Sequence, residues 1–435
     1  MKKRFLSLIL LFCILSPSSL AGGNATPDRF TGHRAPTLGA DMLYSSWPHP
    51  LIEAWQDSRK GRAMTRGFKS AGVRSFRLSF SGIYSPRGER ATEDIKSENK
   101  TTNQYPWFPI DDYFDYVADH DFTTVLGVNV EEGPDTAIDV VENFIRRASR
   151  KKLVAVELSN EPHLSRRPWQ PEQYAERAAD IIESLASLRV RFALPLTVGN
   201  ENKTPTRLSD NEWNKRMLRA LSKRIDLKNR SDIYGVLHLY ARGVSSNTID
   251  AFNKAVREFA PRMRYLVTEF NIRSSLKENP HLTTDYALEF ARKLAELMAR
   301  PEIEAMYVHA VPYHSVLYWS DGRKVVTVSG HRDARLTQED RSQGWHLTPA
   351  GRVYHLYSTL AWKGEVIFFQ GGDQSHWAVR GDDGRLVLTL LNAKDGAAKK
   401  KVRIQGREYQ ISAPPRSIAC FDERGREIER LTLSK

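Results

Sequence analysis

Two glutamates carry the most chemistry in this 435-residue chain. Glu161 ends the run Leu-Val-Ala-Val-Glu-Leu-Ser-Asn-Glu-Pro, and Glu269 lies in Tyr-Leu-Val-Thr-Glu-Phe. Each follows a strand-like apolar run, so each can stand at a strand end. Two carboxyl groups facing one cleft suit glycoside hydrolysis. One must be protonated to assist the leaving oxygen, and the other must be ionised to attack the anomeric carbon. Environment separates the roles: an arginine and a hydroxyl donor keep the nucleophile anionic, while burial and the second carboxylate raise the acid's pKa. Arg77 in Ser-Phe-Arg-Leu-Ser, and His238 and Tyr240 in Leu-His-Leu-Tyr, have the chemistry to do this. Glu157 points the same way along its strand and reads as structural; Glu201 reads as a loop carboxylate. His238 is a poor metal ligand, because no second ligand lies at metal-binding spacing and the twelve histidines are scattered.

These residues need elements to hold them. Strand-like runs at Thr37–Leu43, Val73–Phe80, Thr123–Val130, Leu153–Ser159, Leu194–Gly199, Ile233–Tyr240, Arg264–Phe270 and Ala305–Val311 alternate with helical patterns. The helices are expected at about 51–70, 111–119, 136–150, 171–188, 211–223, 248–260, 284–299 and 349–361. Pro171 suits a first helical turn, and Thr348-Pro349 suits a cap and its first residue. Strand–helix alternation implies right-handed crossovers and a parallel sheet, and eight repeats predict a closed (β/α)8 TIM barrel. No glycine-rich dinucleotide fingerprint follows the first strand. After Trp362-Lys363-Gly364, short strand-like runs separated by Gly-Gly-Asp, Asp-Asp-Gly and Asp-Gly predict a small antiparallel β-sandwich.

The N-terminus reads as a secretory signal: Lys2, Lys3 and Arg4, an apolar run from Phe5 to Leu15, and Ser19-Leu20-Ala21 as the cleavage site. The expected divisions are therefore a signal at 1–21, a catalytic barrel at 22–362 and an accessory sandwich at 363–435. The run is too short for a stable membrane span. Cleavage removes three of the +13 formal charges and Cys13, leaving Cys420 without a disulfide partner. A periplasmic or secreted location follows.

With Asn160-Glu161-Pro162 at the fourth strand, Glu269 at the seventh, Arg77 at the second and His238-x-Tyr240 at the sixth, the chain resembles clan A of the retaining glycoside hydrolases. The resemblance covers the barrel, and the trailing β domain is similar to families 39 and 79. It implies Glu161 as acid/base and Glu269 as nucleophile. Asn160 would hold the sugar's 2-hydroxyl, Arg77 and Tyr240 would contact Glu269, and His238 would line the catalytic subsite. The clan often carries a tryptophan at the end of strand eight; here His309 and Tyr313 occupy that region.

Trp47, Trp107, Trp169 and Trp319 fall in loops after strands one, two, four and eight, where aromatic faces can stack on sugar rings. Trp107, Trp169 and Trp319 join the candidate substrate-binding set. Trp55, Trp213 and Trp362 sit in helix-like segments and read as core. The ~30-residue loop from Ser81 to Ile110 is long enough to wall a cleft. Arg87, Arg90, Arg166, Arg167, Arg242, Arg273, Arg323 and Lys324 surround the same face and suit a uronate-containing bacterial exopolysaccharide. Nucleic acid is excluded as a partner by the absence of any recognition motif beside the charge. The function expected is a retaining glycoside hydrolase that uses no metal or cofactor, with carboxyl groups about 5–5.5 Å apart. A transglycosylase with the same residues, or a non-catalytic polysaccharide-binding protein of an export system, are the alternatives.

Overall fold

A computed structural model describes residues 32–42, 59–78, 110–164, 169–198, 208–240, 246–272, 282–309, 316–321, 325–326, 343–368, 375–404 and 407–433. The expected signal segment, 1–21, lies outside them. The first strand, β1 (Gly32–Arg34), precedes the barrel. Eight parallel strands then close on themselves: β2 (Thr37–Met42), β3 (Ser75–Leu78), β4 (Thr123–Val128), β5 (Leu153–Leu158), β6 (Phe192–Pro195), β7 (Ile233–Tyr240), β8 (Tyr265–Asn271) and β9 (Ile303–Val308). β2 pairs with both β3 and β9, which completes the barrel.

The helices fall where the 3.6-residue pattern places them, from Arg59–Ser70 to Pro349–Ala361. Thr348 caps the last one: its hydroxyl accepts from Gly351 N at 2.8 Å, with Pro349 in the first turn. The strand expected at Leu194–Gly199 instead starts at Phe192 and ends at Pro195; the Leu196 N–H still donates to Val236 O at 3.0 Å, but the Thr197 N–H and carbonyl turn to the Asn214 side chain. Among the described residues, no helix is long and apolar enough to cross a membrane.

Alternation along each strand creates two cores. Val125, Ala155, Ala193, Tyr234, Val236, Leu266, Ala305 and Tyr307 fill the barrel's interior. Tyr307 fits because Gly39 faces it; a Cβ there would lie 2.5 Å from its ring. Outward residues such as Phe76, Leu126, Val156 and Leu237 pack under the helices.

The interior layer floors the barrel, and the site sits above it. Between barrel and last helix, β10 (Leu317–Asp321), β11 (Val325–Val326) and β12 (Gln343–Leu347) form an antiparallel sheet in the order β11-β10-β12. Sequence patterning reads this stretch as loop, since its short strands lack a sustained alternation.

The C-terminal sheet contains β13 (Glu365–Phe368), β14 (His376–Arg380), β15 (Leu386–Asn392), β18 (Ser417–Phe421) and β19 (Glu427–Thr432), and β16 (Ala398–Ile404) with β17 (Arg407–Ala413) covers it as a hairpin. Its other edge is β1, paired antiparallel with β13, so residues ahead of the barrel complete a sheet that the sequence reading drew from 363–435 alone. A three-residue strand carries too little pattern to reveal that partnership. β19 escapes sequence detection because it is a largely exposed edge strand with no buried face.

Both faces of this sheet are covered. Ile367, Ala378, Leu388 and Phe421 pack with Val402 and Ile411 of the hairpin. Val366, Trp377, Val379 and Ile418 join the main core around the barrel. Trp377 is fully buried and meets Tyr357 of the last helix edge-on, with ring centroids 4.9 Å apart. Trp377→Ala should therefore destabilise by about 3–5 kcal/mol, read from denaturant midpoints. A cost under ~1 kcal/mol would show that the sheet does not depend on this contact. Trp213 is core, as its helical position suggests, but Trp362 is 40% exposed. It caps the end of its helix and lies beyond the inward face, with the Arg74 guanidinium 4.4 Å from its ring.

Candidate active site

Inward alternation brings Asp41, Arg77, Glu157, His238 and Tyr240 to the barrel's C-terminal end, one layer above the apolar floor. Two irregularities add the remaining groups. Leu237 pairs with Val267 but His238 pairs with Glu269, leaving Thr268 as an extra residue in β8. This bulge lets consecutive residues face inward. The Thr268 hydroxyl lies 3.1 Å from His238 Nε2, and Glu269 reaches Arg77.

The second irregularity follows β5. Ser159 and Glu161 have φ of 69° and 43°, left-handed values that ordinary side chains avoid. Ser159 is tied down: its N–H donates to Val128 O at 2.8 Å, and its hydroxyl accepts from Val130 N at 2.9 Å. A straight strand would send Asn160 and Glu161 to opposite faces. Here both turn into the mouth.

Arg77 is the hub. Its Nε and Nη2 donate to the two Glu157 oxygens at 2.9 and 2.6 Å, and Nη2 also donates to Asn160 Oδ1 at 2.6 Å. Nη1 donates to Glu269 Oε1 at 2.8 Å and to Asp41 Oδ1 at 3.2 Å. The Tyr240 hydroxyl donates to Glu269 Oε2 at 2.7 Å. His238 Nδ1 lies 2.9 Å from Glu161 Oε1, and His309 Nδ1 lies 2.7 Å from Asp41 Oδ2. An oxygen of Glu161, an oxygen of Glu269 and a nitrogen of His238 all lie within 4.8 Å of one another.

These contacts set the charges. Burial raises the pKa of Glu269, but His238, His309, Arg77 and the Tyr240 hydrogen bond outweigh it and hold the carboxyl far below the usual range. Burial opposes charge on His238, yet Glu269 and Glu161 push its pKa up to about 9. His309 is also raised: Glu269 and Asp41 overcome burial and the repulsion of His238. Burial and Glu269 raise the pKa of Glu161, but the hydrogen bond and charge of His238 win and lower it. That reverses the expectation of a raised pKa on the acid. In the free protein the proton of this pair rests on His238. Burial lowers His163 to about 4, so this fully enclosed imidazole stays neutral beside Glu161.

The sequence-selected residues divide into three groups. Glu161, Glu269, Asn160, Arg77, His238 and Tyr240 meet in one cluster. Trp169 is half-buried and packs on the main core, with its backbone N–H on Pro162 O at 3.1 Å, while Trp319 lies in β10 with its backbone paired to Trp345. Trp107, Trp47 and Tyr313 lie outside the described residues, as do the rim basic residues Arg87, Arg90, Arg166, Arg167, Arg242, Arg273, Arg323 and Lys324.

Sequence reasoning missed Asp41, Thr268 and His163, and gave His309 no role. Asp41 lies near the end of the first strand run, but nothing beside it in the sequence marks it as part of a site. Thr268 depended on a bulge that no residue type announces.

Asp41, Glu269 and His309 have ligand atoms within 4.8 Å, as do Glu161, His238 and Glu269. Neither trio suits a cation well. Arg77 already lies against Asp41 and Glu269, and imidazoles that favour their protonated form cannot donate to a metal.

No protein-family model and no curated relative matches the chain. Solved structures do match in fold. A family 39 β-xylosidase from Caulobacter crescentus aligns over 87% of this chain and 82% of its own, at 14% identity and TM-score 0.56. A family 30 endoxylanase from Clostridium papyrosolvens aligns over 91% and 97%, at 11% identity and TM-score 0.54. A 4-O-α-L-rhamnosyl-β-D-glucuronidase from Fusarium oxysporum aligns over 88% and 84%, at 9% identity and TM-score 0.51. The chain thus has the TIM-barrel fold found in several glycoside hydrolase families, family 39 among them.

Proposed function

We propose that this protein is a retaining glycoside hydrolase, with Glu269 as nucleophile and Glu161 as acid/base. One observation carries the reading. Two carboxyl groups at the ends of barrel strands approach within 4.8 Å, one held anionic and the other sharing a proton with an imidazole. Close approach favours direct attack by a carboxylate; inversion needs room for a water, with about 6.5–9.5 Å between the groups.

In the first step Glu269 attacks the anomeric carbon, and the leaving oxygen takes a proton from Glu161. That proton reaches Glu161 from His238 through the 2.9 Å contact before the leaving oxygen takes it, so Glu161 is left ionised for the second step. A sugar entering the cleft removes water from Glu161 and moves the shared proton toward it. In the second step Glu161 takes a proton from water, which displaces Glu269 from the sugar. Asn160 accepts from Arg77, which also holds Glu269, and would receive the 2-hydroxyl.

The arginines of the loops after the barrel strands support an acidic, uronate-bearing polysaccharide as substrate. The N-terminal signal pattern supports action outside the cytoplasm. A reducing-end assay across neutral and uronate-containing polysaccharides, run beside Glu161→Gln, tests the reading. Release that is equal in wild type and variant would sink it.

The proton inventory also predicts a pH profile. The shared proton is bound below about 9 and lost above it, so kcat/KM should stay level through neutral pH and fall with a midpoint near 9. His238→Asn removes the group that lowers Glu161, and the limb should move acidward to the pKa of Glu161 itself. A limb that stays in place would show that His238 does not hold the proton.

A further inference from the structure

We propose that Asp41 and His309 form a positioning pair that keeps a cation beside Glu269 and speeds release of the sugar from that residue. This rests on the retaining reading above and adds a residue-level account of its second step. Four groups bracket the Glu269 carboxylate. Arg77 holds Oε1, Tyr240 holds Oε2, and Nδ1 of both His238 and His309 lies 3.5 Å from Oε2. Asp41 is wholly buried and divides its oxygens between two of them: Oδ1 accepts from Arg77 at 3.2 Å, and Oδ2 meets His309 Nδ1 at 2.7 Å. One carboxylate thus fixes two basic groups around the nucleophile. The Tyr240 ring meets the His309 ring edge-on, 5.7 Å between centroids, and sets its plane.

The geometry acts unequally on the two steps. When the bond from the anomeric carbon to Glu269 breaks, its electron pair returns to the carboxylate. The water oxygen bonds to the same carbon, and the water proton goes to Glu161. Negative charge therefore reappears on Glu269, 3.5 Å from His309. A cation already in place lowers the barrier for that departure. In the first step the same cation stabilises the attacking carboxylate before reaction, so losing it harms attack less.

Among the described residues, Asp41 from β2, His238 and Tyr240 from β7 and Glu269 from β8 face His309. Glu269 and Asp41 outweigh the opposing burial and His238, which keeps the imidazole charged to higher pH than an isolated histidine.

Pre-steady-state kinetics test the pair, using an aryl glycoside of the sugar released in the polysaccharide screen. His309→Gln should give a burst of one aryl alcohol per protein, then a steady rate about 10²-fold below wild type. KM should fall with kcat, so kcat/KM changes much less. Asp41→Asn should show the same pattern, and the imidazole NMR signal of His309 should titrate at lower pH than in wild type. Equal loss of kcat and kcat/KM without a burst would overturn the pair, as would an unmoved His309 titration. If Asp41→Asn fails to fold, His309→Gln at the partly open mouth decides alone. Absence of all turnover in wild type would instead overturn the glycosidase reading, so the two failures are distinguishable.

Discussion

Glu269→Gln should lower turnover by about 10⁴-fold or more while the barrel stays folded. The size follows from what the carboxylate alone supplies. A neutral amide neither attacks the anomeric carbon readily nor offsets the positive charge that develops there. The barrel should survive because glutamine is nearly isosteric and its neighbours can adjust. Its carbonyl can face Arg77 Nη1, and the Tyr240 hydroxyl can rotate to accept from the amide. Arg77 keeps Glu157 and Asp41 as partners. Two measurements check the prediction together: reducing-end release and the thermal midpoint. Lost activity with a preserved midpoint is expected. Activity within tenfold of wild type would remove Glu269 from the chemistry. A fluoride glycoside of inverted configuration offers a further check. Glu269→Gly, which empties the space the carboxylate fills, should couple such a donor to an acceptor sugar, whereas Glu161→Gln should not.

The eight-strand plan was legible because every barrel strand is buried on both faces and reads as an apolar run between helical patterns. Strand ends were harder, and β6 shows why: the Thr197 backbone leaves the ladder for the Asn214 side chain, 17 positions on, inside a run that looked continuous. The site was legible where side chains follow plain alternation, as Arg77, His238 and Tyr240 do. Glu161 and Glu269 also emerged, although each depends on a departure from alternation that residue types do not announce. The charges were least legible. Glu161 looked like an acid raised by burial, but His238, 77 positions along the chain, reverses the direction. Only closure of the barrel sets that distance. Asp41 went unremarked because a lone carboxylate in a short strand has no local partner; its partners Arg77 and His309 lie 36 and 268 positions away.

Arg77→Met should cost stability and activity together, through one cause. The guanidinium is wholly buried and donates to the side-chain oxygens of Asp41, Glu157, Glu269 and Asn160. Methionine fills much of the volume and donates nothing, so three carboxyl groups lose the same partner. Removing one member of a buried ion pair typically costs about 3–5 kcal/mol, and a shared hub belongs at the upper end of that range. Lysine should rescue little, since a single ammonium cannot reproduce the planar fork that grips Glu157 with two nitrogens. The pH dependence separates this account from simple loss of packing. In wild type Glu269 has a depressed pKa, so its contribution to stability is present above the ordinary carboxylate range and fades as pH falls toward the folded-state pKa. Without Arg77 that depression shrinks, and less stability remains to be lost on acidification. The gap between wild type and Arg77→Met should therefore be widest near neutral pH and narrow as pH falls below about 4. Urea denaturation across that range is the measurement, and a gap independent of pH would assign the cost to packing instead of charge.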